Sequence, residues 1–192
     1  MNPSTTRRTL SKLALALAPL GLATDASAAL LYGTLGFGGT SSTLVTLDPT
    51  TGALVSTIGS VGYTVSGLAY DPTSGTLYGP SRGNAGTGNL LSINTTTGAG
   101  TVVGSGFGGH IIAELAFGPG GQLYGWTESS DDLVTIDKTT AAVSVVGDSG
   151  LSTGTHGLAY DGSVMHFINS NLSHYTMDLG TGAPTFFNVL SV

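Results

Sequence analysis

Short apolar segments that alternate with polar residues recur along the chain, and one pattern returns four times in the same order. Its copies are Leu31-Tyr32-Gly33, Leu77-Tyr78-Gly79, Leu123-Tyr124-Gly125 and, in altered form, Met165-His166-Phe167. A second segment follows each of these, and its copies are Leu44–Asp48, Leu91–Asn94, Leu133–Asp137 and Tyr175–Asp178. Alternation over four to eight residues predicts half-buried β-strands, because successive side chains of a strand point to opposite faces.

Each unit consists of four predicted strands joined by tight turns. An inner strand such as Gly67–Tyr70 precedes the Leu-Tyr-Gly strand, the alternating strand follows, and an outer strand such as Ala53–Ile58 ends the unit. Four strands in a period of roughly 40 to 50 residues are typical of a β-propeller blade. The sequence therefore predicts an all-β fold, a β-propeller of about four blades made of four-stranded antiparallel sheets. The units lie at about 30–59, 63–104, 110–147 and 155–190.

The first blade is predicted to be incomplete, because the unit that begins at Leu30 has no inner strand before it. The last unit has its own outer strand, Thr185–Val189, and so does not need to share strands with the first. Three assemblies remain open from the residues alone. They are a closed ring of four blades, a half-ring that forms a homodimer, and a piece of a longer parent.

One polar position recurs at the end of the third strand in every unit. It is occupied by Asp48, Asn94, Asp137 and Asp178. In the turn Asp48-Pro49-Thr50-Thr51-Gly52, the Asp side chain can accept bonds from backbone N–H groups, Pro fixes φ, and Gly takes the left-handed conformation. We therefore interpret these residues as turn caps and not as a ring of ligands.

The N-terminal residues 1–28 have the features of an export signal, which leaves residues 29–192 as the propeller domain. A basic stretch with Arg7, Arg8 and Lys12 precedes the apolar run Leu13–Ala23, and Ala26-Ser27-Ala28 supplies a small-residue cleavage pattern. That run is shorter than the roughly 20 residues that span a bilayer. We expect a secreted or periplasmic protein, exported by the Sec or the twin-arginine route.

Charge and cysteine content exclude several classes of function. The formal net charge is −6, and the only basic residues after Ala28 are Arg82 and Lys138. Nucleic-acid binding and polybasic membrane binding both need clustered Lys and Arg, so neither is expected. No second apolar stretch predicts a membrane anchor in the mature chain. The absence of cysteine excludes disulfides and thiolate metal sites.

The motif set Leu-Tyr-Gly, Leu-x-Thr-Ile-Asp-Pro-x-Thr-Gly and Gly-Leu-Ala-Tyr-Asp-Pro resembles a family of exported bacterial β-propellers of unknown function. The likeness covers essentially all of residues 30–192. It implies a fold related to the quinoprotein and lactonase-like propellers. It also implies a PEP-CTERM-like protein, since many members of that family end in a Pro-Glu-Pro sorting segment. This sequence contains no such segment. The motifs are specific for the fold and carry little about activity.

Candidate ligand-binding residues lie in the variable loops, because function concentrates in loops held on a rigid frame. Loops between the second and third strands share one face of a propeller with the connections between blades. That face is predicted to carry Trp126, Glu128, Asp131 and Asp132, with Arg82 from the preceding blade. Three further candidates lie at or just before inner strands: His110, Glu114 and His156.

Two functions follow from these candidates. The first is a non-catalytic binding or interaction module for an extracellular polysaccharide or a surface protein, with Trp126 as an exposed aromatic platform. It needs no cofactor, although the carboxylates could bind Ca²⁺, which prefers several oxygen ligands. The alternative is a small metal-dependent hydrolase or lactonase-like enzyme that uses Glu114, His110, His156 and the Asp131–Asp132 pair in the central channel. Only analogy of fold supports the enzyme.

Overall fold

The computed structural model describes residues 15–17, 30–36, 41–82, 88–153 and 156–191. These residues form sixteen β-strands in four antiparallel sheets of four strands each, which confirms the predicted all-β propeller of four blades. Within each sheet the strands lie side by side in chain order. The described residues contain one short 3-10 turn, Pro119–Gly121, and no helix long and apolar enough to cross a membrane.

The four blades follow one another along the chain. Blade 1 contains β1 (Leu15–Leu17), β2 (Leu31–Leu35), β3 (Thr43–Leu47) and β4 (Leu54–Ser60). Blade 2 contains β5 (Ala69–Asp71), β6 (Thr76–Ser81), β7 (Asn89–Ile93) and β8 (Gly100–Val103). Blade 3 contains β9 (Ile112–Phe117), β10 (Leu123–Thr127), β11 (Asp132–Ile136) and β12 (Val143–Asp148). Blade 4 contains β13 (His156–Tyr160), β14 (Met165–Asn169), β15 (Ser173–Met177) and β16 (Pro184–Val189).

The first blade has four strands, where the sequence predicts an incomplete blade without an inner strand. β1 pairs with β2 in antiparallel register, with Ala16 opposite Tyr32. An extended apolar segment can occupy this place because the edge of β2 would otherwise leave backbone N–H and C=O groups unpaired. β1 belongs to the segment predicted as an export signal, and the other residues of that signal lie outside the described part of the chain.

The repeated Asp and Asn residues after the third strands are turn caps, as predicted. Asp48 Oδ1 accepts hydrogen bonds from the backbone N–H groups of Thr50 and Thr51, each at 2.8 Å. The same pair of bonds is made by Asn94, Asp137 and Asp178. These backbone bonds hold the pKa of the three Asp carboxyls below its usual value, because they stabilise the charged form.

Three hydrophobic clusters join the blades in sequence. Their principal members are Leu44, Leu77 and Leu91 between blades 1 and 2, Tyr78, Leu90 and Leu123 between blades 2 and 3, and Trp126, Met165 and Phe167 between blades 3 and 4. Burial of each such side chain contributes about 1.5–3 kcal/mol. Blades 4 and 1 share no such cluster among the described residues.

Two ion pairs cross the interface between blades 2 and 3 on opposite faces of the propeller. Lys138 Nζ lies 2.7 Å from Asp71 Oδ2, and the Asp71 side chain is only 1% exposed. Burial raises the pKa of Asp71, but the bonds from Lys138 and the backbone N–H of Thr73 outweigh this effect, so the pKa lies below its usual value. The second pair joins Arg82 to Glu128 near the surface. Both basic residues after Ala28, Arg82 and Lys138, therefore form ion pairs at the interface between blades 2 and 3.

Replacing Lys138 with alanine is expected to lower the free energy of unfolding by about 1–3 kcal/mol, because the buried Asp71 carboxylate would lose its charged partner. Urea unfolding followed by circular dichroism measures this loss. The matched control is Arg82→Ala, which removes the exposed pair at the same interface and is expected to cost at most about 1 kcal/mol. Equal losses in the two variants would contradict the conclusion that the buried pair contributes more to the free energy of unfolding than the exposed pair.

Candidate functional site

The structure brings the predicted loop residues together on one face of blades 2 and 3. Arg82 follows β6 and pairs with Glu128 in the loop between β10 and β11. The loop between blades 2 and 3 reaches the same place, because the backbone N–H of Glu128 donates to the carbonyl of Ile111 at 2.9 Å. The predicted grouping of second-to-third strand loops with the connections between blades is therefore correct for this region.

Trp126 is not the exposed aromatic platform that the sequence predicts. Its side chain is 0% exposed and stacks on Phe167 of blade 4, with ring centroids 4.0 Å apart. Trp126 Nε1 donates to Asp131 Oδ1 at 3.4 Å, which satisfies the polar end of the buried indole. The prediction is wrong because β10 turns this side chain toward the next blade, where it fills the hydrophobic cluster.

Asp131 connects two loops of the same face. The hydroxyl of Thr153 donates to Asp131 Oδ1, and the backbone N–H of Thr153 donates to Oδ2 at 3.2 Å. Ser149 Oγ donates to the Asp131 carbonyl at 2.6 Å. The backbone of Asp131 has φ 56°, a left-handed conformation in which Asp is enriched. These bonds tie the β10–β11 loop to the β12–β13 connection, so the carboxylate holds the loops in place.

Asp132 begins β11, and its register partner on β12 is Asp148. Two carboxylate residues therefore lie opposite each other at the edge of this face, an arrangement that is locally destabilising between like charges. The backbone N–H of Asp132 donates to Thr127 Oγ1 at 2.8 Å, which fixes the start of the strand.

His110 and Glu114 form no metal-binding group of three with the loop carboxylates among the described residues. Glu114 lies on β9 against Gly67 of the preceding blade. A Cβ added at Gly67 would be 2.7 Å from Glu114 Oε2. His110 is half-buried before β9, and His156 begins β13, with its side chain outside the described part. Among the residues that the structure describes, no three His, Asp or Glu side chains lie close enough together to hold a metal ion.

The sequence predicts the outer strand of blade 4 but names none of its aromatic residues as candidates. Phe186 and Phe187 on β16 are 57% and 62% exposed, and Val189 is 59% exposed. The rings of Phe186 and Tyr175 pack edge to face, with their centroids 5.7 Å apart. On the other side of the sheet, the ring centroids of Phe187 and His174 are 4.8 Å apart. The pair Phe186-Phe187 occurs where the outer strands of the other units have Ser, Thr and Val. That contrast between aligned units is the signal that could have found it.

The fold is a repeat-built β-propeller, and solved structures share it at low sequence identity. One is a structural genomics protein of unknown function from Bacteroides thetaiotaomicron, with 17% identity, a TM-score of 0.62, and coverage of 93% of this chain and 44% of that one. Another is TolB from Acinetobacter baumannii, with 17% identity, a TM-score of 0.60, and coverage of 94% and 44%.

A third similar structure is described as an auxiliary nutrient binding protein from Bacteroides thetaiotaomicron. It has 18% identity and a TM-score of 0.55, with coverage of 82% of this chain and 44% of that one. At such identities the likeness shows the fold alone, and this chain spans less than half the length of each of the three proteins. No protein-family model matches the sequence, and no curated protein sequence matches it.

Proposed function

We propose that this protein is an exported, non-catalytic β-propeller that binds a neutral polysaccharide along β16 of blade 4. The observation that supports this proposal is the adjacent pair Phe186 and Phe187, which expose large aromatic surfaces on the outermost strand of the terminal blade. Exposed aromatic residues on a soluble scaffold mark interaction sites, because leaving them in water has a cost that binding recovers.

The chemistry around the two rings favours a sugar polymer. Thr185 and Asn188 flank the rings on the same strand and are also exposed. They offer hydroxyl and amide groups that can donate and accept hydrogen bonds. The net charge of −6 disfavours an anionic polymer, and no Lys or Arg lies in blade 4. A neutral polysaccharide, which presents apolar ring faces and many hydroxyl groups, fits both conditions.

Export is part of the proposal because of the N-terminal sequence. A basic stretch, a short apolar run and the Ala26-Ser27-Ala28 boundary occur together. Cleavage after Ala28 would also remove β1 and leave the inner edge of β2 unpaired. The similar protein described as an auxiliary nutrient binding protein is consistent with a binding role for a propeller of this kind.

Binding should be measured by affinity electrophoresis of the full chain in gels that contain neutral or anionic polysaccharides. We expect retardation by at least one neutral polymer. The double variant Phe186→Ala/Phe187→Ala should bind about tenfold more weakly, since each aromatic contact contributes about 0.5–1.5 kcal/mol.

The matched control is the double variant Leu54→Ala/Val55→Ala. It removes two adjacent apolar residues, 56% and 59% exposed, from the outer strand of blade 1 and should keep full binding. Retardation that survives in the Phe variant would move the site away from β16. No retardation in any gel would overturn the polysaccharide proposal.

A further inference from the structure

Three positions of blade 3 contact the next blade, and blade 4 has different residues at the equivalent positions. The position of Tyr124, which packs toward blade 4, is His166 in blade 4. The position of Leu133, also in that interface, is His174. Leu133 pairs across the sheet with Gly147, and His174 pairs in the same way with Asn188.

The three substituted residues are joined by hydrogen bonds on one side of blade 4, which we call the terminal face. His166 Nδ1 lies 2.8 Å from His174 Nε2. His166 Nε2 lies 3.0 Å from Asp161 Oδ2, and His174 Nδ1 lies 3.2 Å from Asn188 Oδ1. Asp161, in the turn before β14, is fixed in place by two further bonds to its Oδ1 from backbone N–H groups.

The outer nitrogen of each imidazole faces an oxygen that can only accept. An ionised carboxylate such as that of Asp161 has no proton to donate, so Oδ2 accepts from His166 Nε2. An amide oxygen such as Asn188 Oδ1 also only accepts. His166 Nε2 and His174 Nδ1 therefore carry the protons. The two inner nitrogens lie 2.8 Å apart, and either a shared proton or a metal ion can bridge them.

We propose that His166 Nδ1 and His174 Nε2 together chelate one divalent transition-metal ion, such as Zn²⁺, Ni²⁺ or Cu²⁺, on the terminal face. Imidazole nitrogens are preferred ligands of these ions. Bonds of about 2.0–2.1 Å at a tetrahedral angle need a separation between the nitrogens of roughly 3.3 Å. The observed 2.8 Å has to widen by only about half an ångström.

Asp161 and Asn188 have the role of outer partners in this site. Metal-binding histidines usually donate the other ring N–H to a carboxylate or a carbonyl oxygen, which fixes the tautomer and the ring orientation. Both rings already have such a partner. Two protein ligands leave coordination positions for water or for a group of a partner molecule. The inference is independent of polysaccharide binding, although Phe187 lies beside His174.

The terminal face is also unsuited to a further blade of the same kind. A Cβ at Gly147 would lie 1.9 Å from the Thr181 carbonyl in the turn of the next blade, and a Cβ at Gly59 would lie 2.3 Å from the Thr97 carbonyl. Asn188 places a whole side chain at the equivalent position of blade 4. A regular blade turn cannot approach it as closely, and the His166 side chain is 26% exposed.

Isothermal titration of the full chain with ZnCl₂ at neutral pH, without chelating buffer, tests the proposal. We expect one ion per chain, and at least tenfold weaker binding in His166→Ala and in His174→Ala. Asp161→Asn should weaken binding by about tenfold to a hundredfold, as loss of an outer carboxylate does elsewhere. The control Asp48→Asn makes the same change in a turn cap without a histidine and should bind Zn²⁺ as the parent does.

Urea unfolding of each variant shows whether the fold is retained. Zn²⁺ binding that persists unchanged in a folded His166→Ala/His174→Ala double variant would overturn the proposal, and so would the absence of binding to the parent chain. If His166→Ala does not fold, His174→Gln decides, because glutamine keeps a polar side chain beside Asn188 and removes the imidazole.

Discussion

Alanine in place of Trp126 is expected to lower the free energy of unfolding by about 3–5 kcal/mol, a large part of the stability of an ordinary domain. The indole is fully buried between blades 3 and 4 and stacks on Phe167. Its loss would leave a cavity that the two sheets cannot close, and it would remove the Nε1 bond to Asp131. Because Trp126 is the only Trp, the variant has no tryptophan fluorescence to follow. Urea unfolding followed by far-UV circular dichroism therefore measures the loss.

The matched variant is Phe187→Ala, which removes an aromatic side chain that is 62% exposed. It should change the free energy of unfolding by at most about 1 kcal/mol, since little of its area leaves water on folding. If the Trp126→Ala variant is as stable as the parent and loses only ligand binding, the indole is not buried. The prediction that Trp126 is an exposed aromatic platform would then be correct.

Gly147→Ala should destabilise the protein by about 1–3 kcal/mol through overpacking between blades 3 and 4. A Cβ at this position would lie 1.9 Å from the carbonyl oxygen of Thr181, which belongs to the backbone of a turn and cannot rotate away. The blades would have to separate locally, which would also loosen the packing of Met165 and Phe167.

The control for this substitution is Gly157→Ala on β13, where a Cβ would meet nothing within 4 Å. Thermal unfolding of both variants measures the difference, and we expect the melting temperature of Gly157→Ala to stay close to that of the parent. Equal melting temperatures for the two variants would show that the blades do not approach each other as closely at Gly147 as described.

The repeat and its turns could be predicted because they are local. Alternating apolar positions determine which face of a strand is buried, and the bonds of Asp48 or Asn94 to the next backbone N–H groups involve neighbours in the chain. The first blade shows the limit of this reasoning. Its inner strand, Leu15–Leu17, has no repeat motif and is defined by pairing with β2.

The candidate site was harder to predict because loop composition does not show which side chains are already bonded. Arg82, Glu128 and Asp131 do lie on one face as expected, but Arg82 and Glu128 pair with each other and Asp131 holds two loops. Histidines 166 and 174 are eight positions apart in the chain, and the turn between β14 and β15 brings their rings together.

Blade order, turn chemistry and the four strands of blades 2, 3 and 4 followed from the residues themselves, because each depends on contacts within one unit of the chain. The burial of Trp126, the exposure of Phe186 and Phe187, and the pairing of the two histidines depended on how one blade lies against the next. Packing between blades decides which side of each sheet is covered, and among the described residues no hydrophobic cluster joins the terminal face of blade 4 to another blade.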